Sequence, residues 1–398
     1  MKLRALSAAL LLAAVACGGG NHGVDGAPAS SDTATTQQAP PASGTPTSGT
    51  SSAAGTTDAA APLDAAGTPD AGDAADGALS PPNDPNDATT IASASCSGAI
   101  PSGGARSLPL PVYAGVCPTL AAAPATTSFT SSGAERSYIV VRPTTVAPGE
   151  KLPVVFLWHW LGGSADAMAS TLAVQAAANA RRFIGVVPTA KGDALFRWPF
   201  EASQTQARVD EEARFFDDML ACVAASLPVN KECVSSVGVS AGALWTSQLA
   251  TLRSERLASM VSLSGGTGGI VRGWSTTPHR LPALVLWGGS RDMYPSQLPI
   301  MNFESASHNL ESALQTDAHF LLECTHNCGH AVPPFDPPAP ASSALLFDPI
   351  WRFVLDHPYW LPASKSPYAG KPLPAAYPAW CAQGHGSATP RPNSAACP

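Results

Sequence analysis

Residues 238–242 read Gly-Val-Ser-Ala-Gly and hold a hydroxyl between two glycines. G-x-S-x-G carries chemistry in one context, where a strand runs into it and a helix runs out of it. Here 233–239, CVSSVGV, has the character of a strand, and 241–252, AGALWTSQLATL, that of a helix. In that arrangement Ser240 sits on a strained turn with its Oγ raised. The N–H groups opening the helix then face any negative charge that develops beside it. The chemistry would be acyl transfer, by attack of the hydroxyl on a carbonyl. The competing reading is a glycine-lined turn without chemistry, in a chain that has 34 Gly.

A serine hydroxyl is a poor nucleophile until a base takes its proton. After a G-x-S-x-G turn the acid and then the histidine follow in chain order. The run 281–289, LPALVLWGG, reads as a strand and leads to Ser290, Arg291 and Asp292. Asp292, just past the strand end, is the expected acid. Asp317 is its rival but precedes a strand. The run 319–326, HFLLECTH, leads to Cys328, Gly329 and His330. His330 is the expected base, with His326 the competitor nearer the strand. An oxyanion needs two prepositioned N–H donors. One is expected from Ala241, the residue after the serine. The other belongs to the loop 159–163, His-Trp-Leu-Gly-Gly, with Leu161 favoured and Trp160 second. Trp160, Trp158, Trp198, Phe200 and Trp245 lie in or near these segments, where packing is the commoner role for an aromatic.

These residues need a scaffold. Strands are expected at 136–142, 152–160, 183–187, 233–239, 259–263, 283–287 and 319–323. Helices are expected at 165–181, 210–225, 241–252 and 301–315. The run 152–160 is apolar throughout, as in a strand buried on both faces. Strands alternating with helices imply an α/β fold with a mainly parallel sheet, whose functional residues gather at the carboxyl ends of strands.

The 398 residues are not uniform. Met1 to Arg4 is a short basic start, and 5–16 is an apolar run too short to span a membrane. Ala14-Val15-Ala16-Cys17 resembles the lipobox of bacterial lipoproteins, with Ala14 where Leu is usual. That resemblance implies a lipid anchor on Cys17 and, with Gly18 rather than Asp next, the outer membrane or cell surface. An ordinary cleaved signal, giving a periplasmic or secreted protein, is the plainer alternative. Residues 18–95 have no Trp, Tyr, Phe, Lys, Arg or Glu. They are expected to form an unfolded tether, because they offer too little apolar surface to offset chain entropy. Residues 96–398 are then one catalytic-size domain.

The net charge of −7 belongs to the tether, which holds nine Asp and no cation. Removing those and the two leader cations leaves 20 basic and 20 acidic residues in 96–398. A neutral domain gives no electrostatic reason to bind nucleic acid or an anionic membrane, so the lipid anchor is the one expected membrane contact. A monomer is expected.

Eight cysteines besides Cys17 suggest disulfides in an oxidising compartment. Pairing neighbours in sequence gives 96–117, 222–233, 324–328 and 381–397. Cys324, His326, Cys328 and His330 also have ligand-type side chains. Their C-x-H-x-C-x-H spacing is tighter than common zinc patterns, and export favours disulfide over thiolate, so no metal is expected.

The ordered segments VVFLWHWLGG, VDEEARFFDDMLACV, CVSSVGVSAGALWTSQLA, RLASMVSLSGG, LVLWGGSRD and CGHAVPP resemble secreted esterases of the polyhydroxybutyrate depolymerase and feruloyl esterase group. The resemblance covers about 135–335 and implies an α/β-hydrolase fold. It also implies a triad of Ser240, Asp292 and His330, no cofactor, and a polyester or a feruloyl or acetyl ester of plant cell walls as substrate. Many such relatives have Gly where this chain has Trp160. Two other functions fit the same fold. A serine peptidase would usually carry an extra domain or a charged pocket. A non-catalytic surface binding protein would not need the intact Ser-Asp-His set. The segment 358–398 reads as a Pro-rich tail strapped to the domain.

Overall fold

The computed structural model describes residues 95–194, 196–296, 300–335 and 345–397. The leader, Cys17 and the expected tether up to residue 94 lie outside the described residues.

Among the described residues, nine strands join one sheet. Its middle is a parallel set in the order β4 (Ile184–Pro188), β3 (Leu152–Trp158), β5 (Val229–Val239), β6 (Ser259–Leu263), β7 (Ala283–Trp287) and β10 (Leu321–Thr325). Antiparallel strands extend both edges. β1 (Thr126–Ser131) and β2 (Ala134–Val141) lie beyond β4, and β11 (Cys381–Gln383) lies beyond β10. A separate short hairpin joins β8 (Met293–Tyr294) to β9 (Met301–Asn302).

Side chains alternate between the two faces of a strand, so each face has its own core. Phe156 and Trp158 of β3 point into one. There they meet Phe215 and Phe216 of α3 (Gln206–Ser226), Leu244 and Trp245 of α4 (Ala241–Arg253), and Leu310 of α5 (Phe303–Thr316). Val155 and Leu157 point into the other. That core is closed by Met168 of α1 (Ala165–Thr171), Val174 of α2 (Val174–Arg181) and Trp351 of α6 (Asp348–Leu355). All seven β3 residues are buried, as a strand covered on both faces requires. At the edge, buried Arg136 of β2 pairs with Glu212 of α3 at 2.6 Å and lies over the Phe215 ring.

Several boundaries differ from the sequence expectation. The Ala-rich stretch 165–181 is two helices, broken where Ala173 takes a left-handed φ of 47°. The break lets Met168 and Val174 both reach the core. Helix α3 begins at Gln206, because the Thr205 hydroxyl accepts from the Arg208 N–H and caps it. Asp210, Glu211 and Glu212 therefore stand in its second turn, where Glu211 binds Lys191 and Glu212 binds Arg208. Helix α5 begins at Phe303, two residues later than expected, with Asn302 as its cap.

None of the four expected disulfides forms. The bonds are Cys96–Cys233, Cys117–Cys222, Cys324–Cys381 and Cys328–Cys397. Pairing by closeness in sequence fails because the arm after residue 95 crosses the molecule. Its Ser107 N–H donates to Glu232 and its Leu108 N–H to the Glu255 carbonyl. Cys324 and Cys381 face each other across the β10–β11 ladder. With Cys324 and Cys328 both in disulfides, the C-x-H-x-C-x-H segment offers no thiolate to a metal.

Candidate active site

β5 delivers Ser240 at the carboxyl edge of the sheet, and α4 leaves from it. Ser240 has φ 53° and ψ −119°, a strained conformation for a residue with a side chain. Its N–H is held by the Leu263 carbonyl of the neighbouring strand at 2.8 Å. Both flanking glycines are steric requirements. A Cβ at Gly238 would lie 2.1 Å from the Gly242 carbonyl oxygen, and one at Gly242 would lie 2.0 Å from that of Trp158. Strand and helix approach too closely at this turn for any side chain at either position.

Asp292 follows β7 and is fully buried. One carboxylate oxygen, Oδ2, accepts from the Gly288 N–H at 2.7 Å and from the Ser264 hydroxyl at 2.8 Å. The other, Oδ1, lies 2.7 Å from Nδ1 of His330. The Nδ1–H therefore donates to the carboxylate, which leaves Nε2 as an acceptor. Nε2 lies 3.0 Å from Ser240 Oγ. The three side chains singled out in the sequence thus form one hydrogen-bonded line, although 38 and 90 positions separate its partners.

The imidazole is held on its face as well as its edge. The Phe303 ring stacks on His330, with centroids 4.3 Å apart and planes 11° apart. Phe303 is itself fixed by its N–H, which donates to the Asp292 carbonyl. The loop before His330 is tied to the C-terminal tail through Cys328–Cys397. Asn327 adds hydrogen bonds to the Arg391 carbonyl and the Asn393 side chain.

The rivals lie elsewhere. His326 is buried behind the loop, where its Nδ1 accepts from the Cys328 N–H. Asp317 caps the far end of α5 and binds Thr277, His319 and Arg280.

Ser240 borders a pocket of about 270 Å³, counting space open to solvent, that Ala241, Leu161 and Leu244 also line. Phe196, Phe200, Tyr294, Met301 and Phe303 complete an apolar wall. In the loop 159–163, the Trp160 carbonyl receives the His159 Nδ1–H at 2.9 Å and the Gly163 N–H at 3.0 Å. In a trans peptide the carbonyl and the next N–H point in opposite directions, so the Leu161 N–H turns away from those two partners. The Trp160 ring packs on Gly163 and the second core. Trp158, Trp198 and Trp245 are fully buried, and the latter two each pack edge-on to Trp158. Ala241 opens α4, and the first N–H groups of a helix have no intrahelical partner. Ser264, Gly288 and Phe303 are site residues that the sequence reading missed. Ser264 stands just past β6, at the edge where such residues gather, and Phe303 carries no comparable signal.

No family model matches the chain, and no curated protein matches it. Among solved structures, native pOPH is similar over 70% of this chain and 98% of that one, at 16% identity and a TM-score of 0.53. A pOPH variant in complex with DMSO is similar over 70% and 97%, at 15% identity and a TM-score of 0.52. The fold is that of the α/β-hydrolases. A ferulic acid esterase is a looser match over 52% of this chain and 91% of that one, at 14% identity and a TM-score of 0.42. The fold shared with pOPH is the one that the sequence resemblance implied. In this fold the hydrogen-bonded line sits where the parallel strands end, as functional residues do in other open sheets of this class.

Proposed function

We propose that the chain hydrolyses carboxylic esters through an acyl-enzyme on Ser240. The observation that carries this reading is the line from Asp292 through His330 to Ser240. As Ser240 Oγ attacks the ester carbonyl, His330 Nε2 takes its proton. Asp292 holds the Nδ1–H and stabilises the imidazolium. The N–H groups of Ala241 and Leu161 receive the oxyanion. His330 then gives its proton to the departing alcohol. Water enters, loses a proton to His330 and attacks the acyl-enzyme, which releases the acid and restores Ser240. None of these steps calls on a metal or an organic cofactor.

The apolar wall beside Ser240 favours an uncharged acyl group. Polyesters and the feruloyl or acetyl esters of plant cell walls are the substrate classes that the sequence resemblance supplies. Four disulfides favour folding in an oxidising compartment, consistent with export. The lipobox-like segment ending at Cys17 would anchor a monomeric enzyme to the outer membrane or cell surface. Among the described residues, no helix is long and apolar enough to cross a membrane.

Hydrolysis of p-nitrophenyl acetate and butyrate tests the reaction. Ser240→Ala is expected to lower kcat by roughly 10⁴-fold or more. Equal turnover by the two proteins would remove the proposal.

A further inference from the structure

Two imidazoles and a carboxylate converge between α5, Trp287 of β7 and the loop after β11, apart from the Ser240 line. His308 and Glu311 stand three residues apart on the same face of the helix. The loop after β11 brings His385 to them. Nδ1 of His308 lies 3.1 Å from Oε2 of Glu311, and Nδ1 of His385 lies 3.0 Å from the same oxygen. The three ligand-type atoms all lie within 4.8 Å of one another. Trp287 Nε1 donates to the other carboxylate oxygen at 3.1 Å, which fixes the carboxylate plane. Outer-shell donors of this kind hold a metal-binding carboxylate in position.

Burial grades across the cluster. The Glu311 side chain is wholly buried, whereas those of His308 and His385 are 40% and 33% exposed, so the cluster opens to solvent on the imidazole side. Glu323 of β10, also buried, accepts from the Ser387 N–H two residues beyond His385. The buried Glu311 carboxylate and the two imidazoles form a donor set for a cation.

We propose that His308, Glu311 and His385 form a binding site for a zinc-like divalent cation, with a fourth position open to water. Histidine nitrogens and carboxylate oxygens bind zinc at about 2.0–2.2 Å, which in a tetrahedron spaces the ligand atoms about 3.3 Å apart. The two nitrogen–oxygen pairs already stand within a few tenths of an ångström of that spacing. Calcium and magnesium prefer all-oxygen shells, and a two-imidazole set disfavours them. With the metal on Nδ1, each neutral imidazole carries its single ring proton on Nε2. The ion would clamp α5 to the C-terminal loop. None of the three residues belongs to the proposed catalytic line, so the site stands or falls independently of the esterase reading.

The test uses the full chain, free of any histidine tag and stripped of metal. Calorimetric titration with Zn²⁺ should show one equivalent bound, and Zn²⁺ should raise Tm. Loss of an outer-shell partner costs 10–100-fold in metal affinity, so His308→Ala or His385→Ala should cost at least about 100-fold. No binding by the wild type, or unchanged affinity in the doubly substituted protein, would overturn the site. Should a variant fail to fold, zinc-edge X-ray absorption of the wild-type complex decides the matter. A shell containing two imidazoles supports the proposal, and an oxygen-only shell overturns it.

Discussion

Asp292 has only acceptor roles. Its two oxygens receive an amide N–H, a serine hydroxyl and an imidazole N–H. An asparagine cannot serve all three, because its NH₂ must face one donor set or the other. If it faces His330, the imidazole is held in the wrong tautomer to accept from Ser240. Asp292→Asn should therefore lower kcat by roughly 10⁴-fold in the proposed reaction. Steady-state hydrolysis of p-nitrophenyl butyrate checks this, with circular dichroism to confirm the fold. That Asp292 and His330 would stand in loops just past strand ends was legible in the sequence, because each follows an apolar run by a few residues. The partners that orient them were not. Ser264 is 28 residues from Asp292 and of ordinary type. Phe303 is an unremarkable apolar residue at a helix start, until its ring is seen stacked on His330.

Among the elements, the buried parallel strands were legible to within a few residues, since continuous apolar runs leave few alternatives. β1 was not, because TTSFTS has Phe129 as its one large apolar residue. β11 is three residues long and depends on its ladder and disulfide partners in β10. The same C-terminal segment braces the loop that carries His330. The Cys328–Cys397 bond spans 69 positions, and a loop of that length restricts the unfolded chain by about 4 kcal/mol. Replacing both cysteines with serine should lower Tm clearly under oxidising conditions in a thermal melt. It should also reduce turnover, because the histidine loop loses its covalent brace. An unchanged melt would show that this bond adds nothing to stability.

At the scale of the molecule, buried histidines set the response to acid. Burial pushes His279, His326 and His357 down to about 4, and it also lowers His159 and His319. Below about pH 6.5 the unfolded chain takes up protons that the folded chain refuses until about pH 4. The stability from these groups is complete above pH 6.5 and drains away as pH falls through that window. Each histidine contributes up to about 1.4 kcal/mol per pH unit. Denaturant midpoints measured at pH 7, 5.5 and 4.5 should fall steeply, and a flat profile would contradict this account.

The disulfides also determine how the molecule answers tension. Cys96 stands near the start of the described chain and is bonded to Cys233 within β5, while Cys397 near the other end is bonded to Cys328. A pull applied just outside Cys96 and Cys397 bypasses everything between 96 and 233 and between 328 and 397. Only the 95 residues from 233 to 328 (328 − 233) can pay out, and they include Ser240 and Asp292. In optical-tweezer stretching, rupture of the oxidised protein should release about 340 Å of contour, at about 3.6 Å per residue. The reduced protein has 301 residues (397 − 96) to release and should yield about 1,080 Å. Whatever drags on this protein from outside Cys96 and Cys397 would therefore draw out the segment that holds Ser240 and Asp292 and leave 96–233 and 328–397 looped shut by sulfur.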